Sequence, residues 1–169
     1  MSVDSFKFLP RLLAAYYQAI AQASSDPIPW TPLERPLSEC KFGLVTSGGL
    51  YLRERQQPFD LERERQHPSW GDPSFREIPT DVQQGDLAVS HLHLNTEDIQ
   101  ADFNILLPIH RFQELAAEGV IGGLASKVFS FMGYQGFPPD TKAWEQDYGP
   151  QVAEAFKSEG VHAVLLTPA

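Results

Sequence analysis

One cysteine, Cys40, occurs in 169 residues, so an intramolecular disulfide and any zinc or redox motif built on two cysteines are arithmetically excluded. Positive charge is scarce as well. Thirteen Lys and Arg stand against 22 Asp and Glu, a net charge of −9, and so acidic a chain repels phosphate backbones and anionic lipid surfaces. Neither nucleic acid nor a membrane is therefore an expected partner. Long apolar runs are missing too: the stretch 12–23 is broken by Tyr16, Tyr17, Gln18 and Gln22 and carries no cleavage-site pattern, which fits neither a signal peptide nor a membrane span. With a single thiol, these features point to a reducing cytoplasm. What is present is an ordinary globular mixture, 42% hydrophobic and 21% charged, sufficient for one domain with a real core.

The apolar pattern then divides the chain. Phe8, Leu12, Ala15, Tyr16, Ala19, Ile20 and Ala23 recur at helical spacing and predict an amphipathic helix over 4–24. Four prolines in the eleven residues 26–36 block helix and predict an extended arm. Residues 1–39 are thus a helix and arm, and 40–169 the main domain. Within that domain 41–50 reads as a buried strand ending in glycines, 51–84 as a long, charged, irregular excursion, and 86–94 as a strand. A short helix over 96–103 capped at Asn95, an apolar strand over 104–108, a helix over 109–118 closed by Gly119 and a strand over 120–124 follow. A helix from Asp140 or Thr141 to Glu159, divided at Pro150 and closed by Gly160, leads into a last strand over 161–166. Helices alternating with short apolar strands predict an α/β fold of flavodoxin or Rossmann type, a mostly parallel sheet with helices on both faces.

In such sheets ligands gather at the carboxyl ends of the strands. Thr46, Ser47 and Gly48 end the first strand, where backbone N–H groups either meet an anion or simply close a tight turn. His91 and His93, two apart in a predicted strand, point to one face and either share a metal or a substrate carboxylate, or bond to nearby Asp98 and Asp102. Arg76, in the loop 71–79, either clamps a carboxylate or pairs with Asp72. Tyr134, in the glycine and aromatic loop 130–136, either walls a pocket or fills the core. Cys40, before the first strand, reads as an inert thiol rather than a nucleophile.

Beyond these local signals, a series of motifs in one order resembles the B-type subunit family of glycine, sarcosine, betaine and D-proline reductases. It comprises Gly43-Leu-Val-Thr-Ser-Gly-Gly-Leu50, Pro58-Phe-Asp60, Gly71-Asp-Pro-Ser-Phe-Arg-Glu-Ile-Pro79, Ser90-His-Leu-His93, Asp102-Phe-Asn104, Ser130-Phe-Met-Gly-Tyr134 and Val164-Leu-Leu-Thr-Pro-Ala169. The resemblance implies a reductase component that cleaves a carbon–nitrogen bond of a small amino acid with a selenol or thiol nucleophile. It also implies other reductase subunits or a thioredoxin-like reductant as partners. The family's selenocysteine or cysteine would follow Thr-Pro-Ala, so no cofactor and no catalytic residue are expected in this chain, which is read as cut short before the redox segment and inactive alone. The site residues implied are Thr46, Ser47, Gly48, Arg76, His91, His93 and Tyr134, with His93 positioning substrate or donating a proton. Two further readings stand beside it: a noncatalytic binding or assembly subunit, including a homo-oligomer, and a metal-dependent hydrolase centred on His91 and His93.

Overall fold

The computed structural model describes residues 7–20 and 31–169, and the chain divides into two units, Met1–Pro32 and Leu33–Ala169. The first contains helix α1, Arg11–Ile20, which begins directly after Pro10; of the helix expected over 4–24, residues 7–10 form a turn and bend instead, and 4–6 and 21–24 lie outside the described residues. None of the described helices is long and apolar enough to cross a membrane.

The second unit is built on β1 (Lys41–Thr46). Strand β7 (Ala163–Thr167) pairs parallel with it along Phe42 to Thr46. Its other edge is shared by β5 (Gly123–Leu124) at Lys41 and Phe42 and by β6 (Lys127–Phe131) at Val45 and Thr46, both parallel. Strand β3 (Phe75–Pro79) lies antiparallel beyond β6. A separate two-stranded ribbon pairs β2 (Leu50–Leu52) with β4 (Leu87–Val89). The fold is therefore α/β with a mostly parallel sheet.

Side chains alternate across this sheet as strand geometry requires. On one face Leu44, Val128 and Ile78 join Leu50, Leu87, Phe103, Leu107 and Ile109 in one core, contributed by the ribbon, by α3 (Glu97–Ala101) and by α4 (Ile109–Ala117). On the other, Phe129 and Phe131 pack with Val152 and Phe156 of α5 (Gly149–Ser158). The rings interlock edge to face, with Phe129 and Phe156 centroids 5.0 Å apart at 84°, the arrangement that aromatic quadrupoles favour. Pro150 sits in the first turn of α5, where its missing N–H costs nothing, and a π-helical stretch Trp144–Tyr148 precedes it.

Several expectations change. The excursion at 51–84 is ordered: it supplies β2, α2 (Leu61–Gln66) and β3. The apolar strand expected at 104–108 is instead a 3-10 turn, Phe103–Ile105, because the Asp102 side chain accepts from Asn104 N–H and closes the turn. The strand over 86–94 is confined to Leu87–Val89, and 92–94 form a bend. The strand β6 was not anticipated at all.

Phe156 reaches β1 only because position 43 has no side chain; a Cβ there would stand 2.6 Å from the Phe156 ring. Gly43→Ala is expected to destabilise the protein by about 1–3 kcal/mol through overpacking. Gly85→Ala, where a Cβ meets nothing within 4 Å, should stay within about 0.5 kcal/mol. Urea unfolding of both variants checks the contrast.

Candidate active site at the strand ends

Parallel pairing brings the carboxyl ends of β1, β6 and β7 to the same edge of the sheet. Thr46 is buried; its hydroxyl donates to the Thr167 carbonyl at 3.2 Å and accepts from Gly48 N–H at 3.1 Å. Ser47 Oγ accepts from Ala169 N–H at 2.9 Å. Ser47 N–H donates to Thr167 O and Gly49 N–H to Phe131 O, so the N–H groups of this loop are engaged within the protein rather than splayed toward an anion. Gly48 lies against Leu106. Gly49 takes φ 68° with its α-carbon face on the Ser90 carbonyl, 2.2 Å from where a Cβ would sit, and Ser90 N–H donates back to Gly49 O. This close backbone contact, which only glycine permits, docks the loop after β4 on the loop after β1. Gly133 does the same for β6 and β7: a Cβ there would lie 2.7 Å from the Ala169 carbonyl and 3.1 Å from that of Ser47.

Beside this convergence lie the two histidines. They occupy a bend rather than a strand, so they do not share a face by strand alternation. Instead His91, 9% exposed, accepts from His93 N–H through Nδ1 at 3.0 Å. Its proton is therefore on Nε2, a buried atom with no hydrogen-bond partner among the described residues. Burial, and secondarily the charge of His93, lowers the His91 pKa to about 4, leaving a neutral donor at ordinary pH. The His93 ring is half exposed and bonds through Nε2 to Oε1 of Glu64 at 2.9 Å. Glu64, 3% exposed on α2, has its pKa raised by burial, with the His93 bond working the other way. The His93 and Tyr134 rings pack in a tilted arrangement, centroids 4.6 Å apart at 36°, and Tyr134 donates its hydroxyl to the Pro68 carbonyl.

The structure thus gathers Thr46, Ser47 and Gly48 at one end of this edge and His91, His93 and Tyr134 beside it, with Tyr134 next to Gly133 in the chain. Arg76 is not part of this group. Its guanidinium donates to the carbonyls of Gln57, Pro58 and Phe75 and to Ser74 Oγ, stacks on Phe59 at 4.2 Å and lies 3.9 Å from Asp72. It anchors the segment 57–60, whose Phe59 carbonyl accepts from the Ser90 hydroxyl. The expected contacts of the histidines with Asp98 or Asp102 are replaced by Glu64, a residue the sequence hid inside the charged run 61–65. Among the described residues no group of three or more His, Cys, Asp and Glu side chains is placed to hold a metal ion. On the opposite sheet face an apolar hollow of about 620 Å³ opens beside Ser47, lined by Val45, Phe131, Trp144, Leu166 and Pro168.

A family model described as glycine/sarcosine/betaine reductase selenoprotein B matches residues 13–169. The D-proline reductase subunit gamma of Acetoanaerobium sticklandii is 38% identical over 143 residues, which are 85% of this chain and 54% of that protein. The glycine reductase complex component B subunit gamma of Symbiobacterium thermophilum is 26% identical over 85% of this chain and 32% of its own length. The sarcosine reductase complex component B subunit beta of Peptoclostridium acidaminophilum is 24% identical over 84% and 31%. The chain therefore spans between a third and about half the length of these relatives. No solved structure matches it significantly.

The lowered His91 pKa has a sign that can be measured. As pH falls through 6.5, the unfolded chain takes up a proton at this residue while the folded protein does not, down to about 4. Stability is then lost across that window, by up to about 3 kcal/mol. The raised Glu64 pKa acts oppositely: it favours the folded state at low pH, and that contribution is lost as pH rises above the ordinary carboxylate value. Comparison with His91→Asn, whose side-chain oxygen can still accept from His93 N–H, isolates the histidine. Denaturation midpoints between pH 4 and 7 should fall less steeply in the variant; equal slopes would contradict the assignment.

Proposed function

Because the chain belongs to the glycine/sarcosine/betaine reductase selenoprotein B family, we propose that it is the α/β part of a reductase component that holds a small amino acid at the carboxyl ends of β1, β4 and β6. A selenol or thiol carried on polypeptide outside this stretch then attacks the carbon bearing nitrogen and displaces the amine, and a dithiol reduces the resulting carbon–selenium or carbon–sulfur adduct, releasing the product and becoming oxidised. The observation that carries the proposal is the meeting of Ser47, Gly133 and Ala169 on the same edge as His91, His93 and Tyr134. The end of β7 is thereby placed on the loop after β1, beside groups suited to small polar ligands.

Each side chain has a fitting part. Ser47 Oγ and the buried Nε2–H of His91 are hydrogen-bonding groups for a carboxylate or amine, and the neutral state of His91 lets it donate without adding charge. Tyr134 and His93 form an aromatic wall against the aliphatic carbons. His93 is the proton-exchanging group, an imidazole oriented by the Glu64 carboxylate. The relative with 38% identity is a D-proline reductase subunit, which makes a proline-type amino acid the first substrate to try.

The same reading accounts for β7. It pairs on one edge only among the described residues, with β1. Leu166 is 67% exposed above the apolar hollow, and exposed apolar strand edges are surfaces that partners cover. Another reductase subunit, or the part of the relatives that this chain does not span, is the proposed occupant.

A preparation joining this chain to the part of the D-proline reductase subunit gamma relative that it does not span, supplied with a dithiol, should reductively cleave the carbon–nitrogen bond of D-proline or a glycine derivative. The 169-residue chain alone should not. Turnover by the short chain, or none by the joined protein when its partner subunits are present, would contradict the proposal.

A further inference from the structure

We propose that Glu64 is a positioning residue for His93 and that Nδ1 of His93 is the atom through which the site exchanges protons. The inference rests on the reading of the strand ends as a ligand site, but the geometry behind it is independent of any substrate.

A carboxylate on a short helix in a run of Arg and Glu would ordinarily face water. Its neighbours in that run do so: Glu62 is exposed, and its ion pair with Arg65 lies at the surface. Glu64 is turned inward instead, because Asp60 caps α2 by accepting from Arg63 N–H and Arg63 lies over the Trp70 ring at 4.2 Å, fixing the helix's rotation. Burying a carboxylate without a charged or hydrogen-bonding partner is costly, and the partner supplied here is the His93 ring at 2.9 Å.

The consequence for His93 is directional. With Glu64 accepting, the ring proton sits on Nε2, and Nδ1 becomes the basic atom. Among the described residues Nδ1 makes no hydrogen bond, and the side chain is 52% exposed, so this nitrogen is the one a ligand meets. The ring cannot turn freely, since Tyr134 packs on its face. The arrangement is that of a carboxylate orienting an imidazole: Nδ1 takes a proton from a ligand ammonium, the ligand becomes a neutral amine, and the imidazolium so formed is balanced by Glu64. Reversal returns the proton, and no electrons move. The other ionisable groups facing the pair are His91, whose ring centroid is 5.9 Å from that of His93, Tyr134, and Arg65, which acts on Glu64 through its charge. His91 stays neutral, so it does not compete for the proton.

Two-bond proton–nitrogen NMR spectra of the imidazoles in the 169-residue protein test this without any ligand. In the wild type, neutral His93 should carry its proton on Nε2. Glu64→Gln keeps a hydrogen-bonding side chain but replaces the carboxylate, which only accepts, by an amide that both accepts and donates, and should raise the share of neutral His93 protonated on Nδ1 by about twofold or more. A wild-type neutral His93 protonated on Nδ1, or a tautomer ratio unmoved in a folded Glu64→Gln variant, would overturn the proposal. If the variant does not fold, the wild-type tautomer decides alone. Failure of the strand-end reading is distinguishable, because it would appear as the loss of ligand binding with the tautomer intact.

Discussion

The structure depends on β1 having both of its edges occupied. One edge carries β7 over its whole length, and the other is divided between β5 and β6. A strand so enclosed must satisfy its backbone on both sides and bury side chains on both faces, and this one does: Leu44 and Thr46 lie under the ribbon and α4, while Gly43 lies under Phe156 of α5. Because β6 and β7 run parallel to it and both pair with its Thr46, their carboxyl ends arrive together, and the loop 46–49 becomes the point on which the other strand ends converge. Two backbone approaches that a side chain would block, at Gly49 and Gly133, then draw the loops after β4, β6 and β7 into contact.

The chemistry of the edge follows from unequal burial. His91 is enclosed and neutral, with one ring nitrogen tied to the backbone and the other a donor lacking an acceptor among the described residues. His93 is half exposed and tied to a carboxylate from a different element. Two imidazoles only two residues apart are thus given different surroundings, one enclosed with a free N–H and the other open to solvent on one nitrogen. Arg76 illustrates the opposite outcome. A cation of the right type for a carboxylate is spent on carbonyls and a hydroxyl that hold the segment 57–60 in place, so it supports the site from outside.

Much of this was legible in the sequence where one signal dominated. The strand at 41–46, the α4 helix closed by Gly119, the α5 helix closed by Gly160 and the last strand each had an apolar pattern with an unambiguous stop. What stayed hidden was hidden for physical reasons. In β6, Val128 and Ser130 face one core and Phe129 and Phe131 the other, so no alternation of polar and apolar residues marks it as a strand. In β3, Pro79 and the charged Arg76 and Glu77 are compatible with an edge strand, yet read alone as loop. The run Ile105-Leu-Leu107 has no period of its own, and the Asp102 cap decided its turn. Glu64 carried no local signal, because its burial is set by a partner 29 residues away. Several motifs of the family, by contrast, lie on the elements that build the strand ends.

Backbone amide NMR spectra of the 169-residue protein titrated in turn with D-proline, sarcosine, glycine and betaine put the central claim to the test most directly. The account predicts that at least one of them shifts the resonances of Ser47, His91, His93 and Tyr134 together, with those of the distant hollow formed by Arg53, Arg55, Asp81 and Asp86 unmoved. Saturable shifts confined to that hollow, or none from any of the four at millimolar concentration, would contradict it.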